Sequence, residues 1–307
     1  MKRMIQWMLA ATLICGACIF TSCSSDDDND ENATGIALIA KNRNVDYWRQ
    51  IEYAFRDACK KKGFVAYYYS TSAGSNYQEQ VAAVEELKKL NDNTLKGIIY
   101  TPCYGPNGEN ADAEVYALAK QRNIPVIILD SETKATSPLA GYPYIGTDNA
   151  AAGRALADKV TADNVAVIAM VNSPGVERAE AFKKVKPNSV IYPVADDATS
   201  EVQAIIDQYD DFVFVNGSNL IGVLGKLRTK NKNVYTFDVY DEFLDELIAG
   251  STFFKGIMAQ NTFSMANKAV EAVVADAKQG EMVPTFYITK DNLNDANVQP
   301  FLNFYNR

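Results

Sequence analysis

The fold is decided by residues 35–70, which have the sequence GIALIAKNRNVDYWRQIEYAFRDACKKKGFVAYYYS. Residues 35–40 and 65–70 are apolar segments of strand length. Between them, residues 46–62 place Ile51, Phe55 and Cys59 at four-residue steps, which predicts an amphipathic helix with one core-facing side. Strand, helix and strand in this order form a βαβ unit, and such units build a parallel sheet with right-handed crossovers.

The same alternation continues along the chain. Strands are predicted at 96–102, 124–130, 142–148, 164–173, 189–196, 211–217, 233–240, 253–260 and 285–290, and helices at 77–90, 111–122, 149–160, 175–184, 200–209 and 264–278. The part from residue 164 onward repeats the architecture of the first part. The predicted fold class is therefore α/β, with two doubly wound parallel-sheet lobes joined by a hinge that the chain crosses several times.

The predicted organisation has four parts. Residues 1–22 form a signal peptide, and residues 23–34 hold a lipidated cysteine and an acidic tether. The first lobe takes residues 35–147 plus 261–286, and the second takes 148–260 plus 287–307. At the end of the chain, Val298, Phe301, Leu302 and Tyr305 have helical spacing, which favours packing against a lobe over a partner contact.

The N-terminus has the layout of a secretory signal. Lys2 and Arg3 precede a mostly apolar segment over residues 4–20, whose length lies at the lower limit for a membrane span. Thr21 and Ser22 before Cys23 resemble a lipobox, and the acidic segment after it is similar to surface-export signals of some Gram-negative lipoproteins. We expect a location in the periplasm or on the cell surface, with the lipid on Cys23 as the membrane anchor.

Composition excludes several function classes. The 307-residue chain carries a formal net charge of −8, which argues against nucleic acid and anionic membrane surfaces as partners. It has no histidine, which removes the most common general base and all His-containing metal sites. We therefore predict a protein that is not an enzyme, with no catalytic residues, no metal and no cofactor. Cys59 and Cys103 are predicted to be free.

Polar side chains follow the predicted strands, at the point where a binding cleft would use them. In open parallel sheets, ligands bind beyond the carboxyl ends of the strands. Asp130, Asn216, Asp238 and Gln260 lie at or just past such ends, and Arg178 lies in the helix that follows one. Three of them have a local alternative: a turn cap for Asp130, a surface position at helical spacing from two glutamates for Arg178, and a turn dipeptide with the following glycine for Asn216. Their shared placement predicts a cleft for one polar small molecule.

Several motifs in order resemble the periplasmic sugar-binding proteins of the ribose-binding type, which are related to the effector domains of LacI-type repressors. The motifs are IPVIILDSE (124–132), YIGTDNAAAG (144–153), VERAEAF (176–182), FVFVNGSNLIG (212–222), YTFDVYDE (235–242) and GIMAQNTFSMANKAVE (256–271). The resemblance implies the type I periplasmic binding protein fold. It also implies that the five polar residues named above hold sugar hydroxyls, with Arg178 donating across the cleft.

The resemblance adds three further ligand residues and one difference. Tyr47 and Trp48 fall where the family carries its stacking aromatic pair, and core packing is the alternative for Trp48. Thr101 stands where the family has Asn at the end of the third strand. Ser131 replaces an arginine that the family often has after the Asp of its Leu-Asp-Arg motif, so one bidentate hydroxyl clamp is missing.

The predicted function is that of an extracytoplasmic solute-binding lipoprotein. It would capture a monosaccharide or similar polyol between its lobes, as a monomer, and pass it to an ABC transporter permease or report it to a sensor kinase. The alternatives are a sugar-modifying enzyme on the same scaffold, or a binder of a furanosyl signal, a nucleoside or an inositol-like ligand. No DNA-binding helix-turn-helix precedes residue 35, which argues against a transcriptional regulator.

Overall fold

The computed structural model describes residues 34–74, 76–103, 107–171, 173–195 and 197–307. The predicted signal peptide and Cys23 lie outside the described residues. The strands are β1 (Gly35–Ile39), β2 (Val65–Tyr69), β3 (Leu95–Tyr100), β4 (Val126–Leu129), β5 (Tyr144–Gly146), β6 (Ala166–Met170), β7 (Val190–Val194), β8 (Asp211–Phe214), β9 (Asn233–Phe237), β10 (Phe254–Ala259), β11 (Glu281–Met282) and β12 (Phe286–Ile288). The helices are α1 (Asp46–Lys61), α2 (Tyr77–Lys88), α3 (Glu109–Arg122), α4 (Asn149–Ala157), α5 (Gly175–Val185), α6 (Thr199–Ile205), α7 (Ser218–Ile221), α8 (Leu224–Thr229), α9 (Asp241–Ile248), α10 (Thr262–Val274) and α11 (Gln299–Phe304).

The strands form two sheets of the same design. The first has the order β11-β5-β4-β3-β1-β2, and the second has the order β12-β10-β9-β8-β6-β7. Without the edge strands β11 and β12, each sheet has the doubly wound order in which the second strand lies outside the first. The prediction of an α/β fold with two doubly wound lobes is confirmed.

Helices cover both faces of each sheet, which explains why the central strands are apolar throughout. All of β1 is buried, with Ile36 and Leu38 facing one core cluster and Ala37 and Ile39 facing another. This alternation follows from the two-residue period of a strand. On the first sheet, α1 packs against α10 on one face, and α2 packs against α3 on the other.

Three short segments carry the chain between the lobes, and polar residues begin the helices that follow two of them. Residues 147–148 connect β5 to α4, and the side chain of Asp148 accepts a hydrogen bond of 2.8 Å from the amide of Ala151. Residues 260–261 connect β10 to α10, and Asn261 caps that helix by accepting from Ser264 at 3.0 Å. These caps satisfy amides that the first helical turn leaves unpaired.

The third crossing, residues 283–285, connects β11 to β12. It produces the one antiparallel pair among the described strand pairs. β11 is parallel to β5 and ends at the cleft, so the chain enters the second lobe from the cleft side and runs away from it as β12, antiparallel to β10. Phe286 was predicted as the last residue of the first lobe. It pairs with Ala259 in the second sheet, because β12 begins at this residue.

The end of the chain packs against the body. Val298, Phe301 and Leu302 are buried in the largest core cluster, as their helical spacing predicted. This segment contacts α1 of the first lobe as well as the second lobe, to which residues 287–307 were assigned from sequence. Cys59 and Cys103 are both free and buried.

Candidate functional site

A cavity of about 610 Å³ lies between the lobes at the carboxyl ends of the strands. Seven of the eight predicted ligand residues line it, namely Tyr47, Trp48, Asp130, Arg178, Asn216, Asp238 and Gln260. They come from α1 and β4 of the first lobe and from α5, β8, β9 and β10 of the second. The position beyond the ends of β4, β8, β9 and β10 brings together residues that are far apart in sequence.

The carboxylate of Asp130 is held by three neighbours in the first lobe. Its Oδ1 accepts a hydrogen bond of 2.5 Å from the hydroxyl of Tyr47, and its Oδ2 accepts one of 2.7 Å from Ser131. The Nζ of Lys41 lies 3.8 Å from Oδ2. Burial and then the charge of Asp130 raise the pKa of Tyr47 well above its usual value, so Tyr47 stays protonated and remains a donor.

Lys41 is a site residue that the sequence reasoning missed. It lies two residues after the end of β1, is 5% exposed, and donates to the hydroxyl of Ser131 at 2.6 Å. Its Nζ lies 5.5 Å from the centre of the Trp48 ring, within cation–π range. Burial lowers the pKa of Lys41 to about 8, although the nearby carboxylate of Asp130 opposes this shift. The strand-end rule that found Asp130 applies equally to Lys41 after GIALIA.

Ser131 has a different role from the arginine that it replaces in the resemblance. It accepts from Lys41 and donates to Asp130, so it links a cation to a carboxylate within the first lobe. A short hydroxyl leaves room for the lysine. The positive charge on the first lobe's side of the cavity therefore comes from Lys41, which follows the first strand, instead of from the residue after Asp130.

Asp238 and Gln260 form a polar pair on the second lobe's side of the cavity. The side-chain amide of Gln260 donates to Oδ1 of Asp238 at 2.7 Å, and the backbone amide of Gly217 donates to Oδ2 at 3.3 Å. Both groups follow adjacent strands, β9 and β10, which explains their contact. The carboxylate keeps lone pairs that can accept from a ligand hydroxyl.

Arg178 is fixed in the cavity wall by its own lobe. Its Nε donates to Asn149 at 2.8 Å, one Nη1 hydrogen donates to the carbonyl of Val215 at 3.0 Å, and its guanidinium lies 4.6 Å from the centre of the Phe237 ring. The residue is only 3% exposed. These contacts set the plane of the guanidinium, whose other N–H groups can donate into the cavity.

Asn216 closes the same wall beside Arg178. Its Oδ1 accepts from the backbone amide of Met170 at 3.2 Å, which ties the end of β8 to the end of β6. The side-chain amide nitrogen is a donor for a ligand. Asn216 is therefore more than the turn residue that its neighbour Gly217 indicated.

Asp130 and Asp238 share an unusual backbone conformation. Their φ angles are 66° and 62°, in the left-handed region that few residues other than glycine adopt. Both follow the last residue of a strand, and Asp tolerates this conformation better than most residues. Residues held in such sparsely populated conformations concentrate at binding and active sites.

Thr101 is the predicted ligand residue that the structure leaves out of the cavity lining. Its side chain is fully buried, and its carbonyl accepts a hydrogen bond of 2.7 Å from Gln80. Successive side chains in an extended segment point to opposite sides. The sequence identified the correct strand end, but the direction of this side chain depends on the pleat, and Thr101 faces the protein interior.

A second cavity of about 500 Å³ adjoins the first one at the crossing of residues 147–149. Asp130 and Pro174 line both cavities. Glu132 and Glu177 stand on opposite lobes at this second cavity. Within the described ranges, no group of three or more His, Cys, Asp and Glu residues is arranged to hold a metal ion.

The sequence from residue 36 to residue 282 matches the model of the periplasmic binding protein domain family. This span covers most of the 307-residue chain. The chain belongs to the periplasmic binding protein domain family. No curated protein is similar enough to this periplasmic binding protein to count as a match. Membership of the family implies a location outside the cytoplasm.

Solved structures of binding proteins share the fold. The glucose-galactose binding protein GanP of Geobacillus stearothermophilus is 21% identical with a TM-score of 0.66, covering 85% of this chain and 99% of its own. The arabinose binding protein AraP of the same organism is 20% identical with a TM-score of 0.67, covering 85% and 98%. An ABC transporter solute binding protein of Mycobacterium smegmatis with bound glycerol is 16% identical with a TM-score of 0.70, covering 85% and 96%.

The family and these structural neighbours are binding proteins. Over the part of the chain that the structure describes, no helix of this periplasmic binding protein combines the length and apolar character needed to cross a membrane.

Proposed function

We propose that this protein captures a monosaccharide or similar polyol between its two lobes and does not transform it. The observation that carries the proposal is the set of charged side chains in the cavity, with Lys41 and Asp130 on one lobe and Arg178 and Asp238 on the other. Two cations and two carboxylates balance, so the cavity fits a neutral ligand. Each charge is hydrogen-bonded within its own lobe, which keeps it oriented before a ligand arrives.

Hydroxyl groups fit this arrangement because each hydroxyl both donates and accepts. Asp130 and Asp238 offer acceptors, while Arg178 and Asn216 offer donors. A ligand that leaves one such buried group unpaired loses about 1–3 kcal/mol. A polyhydroxylated ligand can pair with all of them, whereas an apolar ligand of the same size cannot.

The aromatic residues at the start of α1 supply an apolar surface for the C–H face of a sugar ring. The rings of Tyr47 and Trp48 both border the cavity and stand at 83° to each other with centroids 5.0 Å apart. Trp48 is 5% exposed and belongs to the core cluster as well as to the cavity lining. The two interpretations of Trp48, core packing and ligand contact, are compatible.

The structural neighbours support this ligand class. They are described as a glucose-galactose binding protein, an arabinose binding protein and a solute binding protein with bound glycerol. By analogy with these transport proteins, the ligand would pass to an ABC transporter permease, and a sensor kinase is the second kind of receiver. Lipid on Cys23 would keep the protein at the membrane while the lobes open and close on their three crossings.

The test is thermal unfolding of the chain without its predicted leader and with Cys23→Ser, in the presence of single pentoses, hexoses, polyols and nucleosides. A compound that binds only the folded state adds about 2.7 kcal/mol of stability at a hundredfold excess over its dissociation constant. We expect a rise in the midpoint with one sugar or polyol, and its loss in Asp238→Ala. The matched control is Asp163→Ala, because Asp163 is exposed and distant from the cavity lining.

No shift with any sugar or polyol, or a shift with a nucleoside alone, would contradict the sugar proposal. Chromatography of the shifted compound after incubation provides the second test. Recovery of unchanged compound supports a binding protein, and a new product would show an enzyme.

A further inference from the structure

The last ten residues contact both lobes at once. The family match ends at residue 282, so this segment lies beyond it. Its apolar part is anchored in the core, where the ring of Phe301 lies 4.9 Å from that of Phe263 and 6.0 Å from that of Phe286. Anchored in this way, the segment cannot leave the body without exposing a fully buried phenylalanine.

Tyr305 lies at the centre of a hydrogen-bond network between the lobes. Its hydroxyl is 2.8 Å from the carboxylate of Asp46 in α1, to which it donates, and 3.2 Å from the carbonyl of Val239 after β9. The side-chain amide of Gln50 donates to the same hydroxyl at 3.0 Å and to the Val239 carbonyl at 2.7 Å. Gln50 also accepts from Thr262, directly after the crossing at residues 260–261.

The residues on either side of Tyr305 extend these contacts in opposite directions. The ring of Phe304 lies 5.7 Å from that of Tyr53 and 6.0 Å from the guanidinium of Arg49, both on α1 of the first lobe. Arg307 forms ion pairs with Asp241 and Asp245 on α9 of the second lobe, at 2.9 and 3.0 Å. The segment therefore spans the gap between α1 and α9.

We propose that residues 298–307 form a clasp that sets the angle between the two lobes, with Tyr305 as a positioning residue for the cavity. Asp46 directly precedes Tyr47, and Val239 directly follows Asp238, so the clasp holds the backbone beside one cavity residue on each lobe. The hinge of this protein is thus more than its three crossings. This inference goes beyond the proposed function, and its test uses no ligand.

The experiment measures the distance between spin labels on the two lobes of the ligand-free chain. Labels are placed through Ala113→Cys on α3 and Lys184→Cys on α5, both exposed positions. The background lacks the predicted leader, and with it Cys15 and Cys18, and carries Cys23→Ser. The native Cys59 and Cys103 are buried and stay unlabelled. We expect Tyr305→Phe, which removes only the hydroxyl, to broaden the distance distribution or shift it to longer distances.

The matched control is Tyr53→Phe, because Tyr53 is on the same interface but 54% exposed, and its ring contact with Phe304 is kept. Asp46→Ala removes the other partner of the Tyr305 bond and provides an independent variant. The double variant with Tyr305→Phe should have no larger effect on the distribution than the stronger single one, since both break the same contact. Unfolding midpoints, recorded alongside, separate a change in lobe angle from a loss of folding.

The clasp would be overturned if Tyr305→Phe and Asp46→Ala both gave the same label-to-label distance distribution as the parent chain. Tyr53→Phe shows what an unchanged distribution looks like. Additive broadening in the double variant would overturn the assigned pairing of Tyr305 with Asp46.

Discussion

The hydroxyl of Tyr47 lies 2.5 Å from Oδ1 of Asp130, although 83 positions of sequence separate the two residues. The bond joins the first turn of α1 to the residue after β4, both within the first lobe. It occupies one carboxylate oxygen and fixes the direction of the other. Asp130 therefore presents one defined acceptor orientation to the cavity before any ligand is bound, which lowers the ordering cost of binding.

This relationship predicts the effect of Tyr47→Phe. The substitution keeps the ring against Trp48 but removes the donor to Asp130. One such bond contributes about 0.5–1.5 kcal/mol, so we expect Tyr47→Phe to weaken ligand binding by up to about tenfold. Calorimetric titration with the sugar that gives the largest unfolding shift measures this change. The control Tyr77→Phe, away from the cavity lining, should bind like the parent chain. An unchanged dissociation constant in Tyr47→Phe would show that the bond has no role in binding.

The lowered pKa of Lys41 predicts that the stability of the folded protein depends on pH. Burial lowers its pKa in the folded state to about 8 from a usual value near 10.5, so between these values the unfolded chain binds more protons than the folded one. Stability then rises with pH across this window, by up to about 1.4 kcal/mol per pH unit for one group. Buried tyrosines with raised pKa values, Tyr47 among them, act in the opposite direction above about pH 10.

The comparison of variants isolates Lys41 from those tyrosines. We expect the free energy of unfolding of the parent chain to rise relative to that of Lys41→Met between pH 8 and about pH 9.5. Denaturant titrations at several pH values measure it, and Lys184→Met, at an exposed lysine, should run parallel to the parent. Parallel curves for Lys41→Met as well would show that the pKa of Lys41 is not lowered.

Phe301 tests whether the end of the chain belongs to the core. The residue is fully buried between Phe263 and Phe286, so Phe301→Ala should lower the free energy of unfolding by about 3–5 kcal/mol. Ile248→Ala removes an apolar side chain that is 51% exposed and should change stability by less than about 0.5 kcal/mol. Chemical denaturation measures the free energy of unfolding of both variants. A loss in Phe301→Ala as small as that in Ile248→Ala would mean that the last segment is only loosely attached to the core.

The predicted lipid on Cys23 has a direct measurement. Expressed in a Gram-negative host with its native leader, the protein should be found in the membrane fraction, and mass spectrometry should show a mature chain that begins at an acylated Cys23. Cys23→Ser should release the protein from the membrane fraction or leave its leader attached. Cys59→Ser, at a buried cysteine of the body, should fractionate like the parent. A soluble, unmodified parent protein would refute the lipobox.

The succession of strands and helices along the chain and the main cavity residues follow from local patterns. Apolar segments such as IPVIIL and VYTF have the length of buried parallel strands, and Asp130 and Asp238 come directly after them. Because all parallel strands of one sheet end at the same edge, position in sequence was enough to place each of these residues at the carboxyl edge of its own sheet. That the two edges face each other across one cavity depends on the packing of the lobes. Lys41 obeys the same rule and was missed because charged residues after a strand are common on solvated surfaces.

Other features depend on contacts that no local pattern encodes. Thr101 sits at a correct strand end, yet its side chain is fully buried, because the pleat of the extended segment decides the direction of each side chain. Helical spacing predicted that the end of the chain would pack against a lobe. It could not predict that the hydroxyl of Tyr305 would bond to Asp46 and Val239, which lie more than sixty positions away.

Sequence alone thus determined the two-lobed fold and the strand ends that carry polar groups, because hydrophobic periodicity and strand direction are local properties of the chain. The tertiary structure decided which of those groups face one another, how Lys41, Ser131 and Asp130 share their hydrogen bonds, and that the last ten residues bridge the lobes. These outcomes depend on distances between residues that are remote in sequence, and only the packed chain fixes such distances.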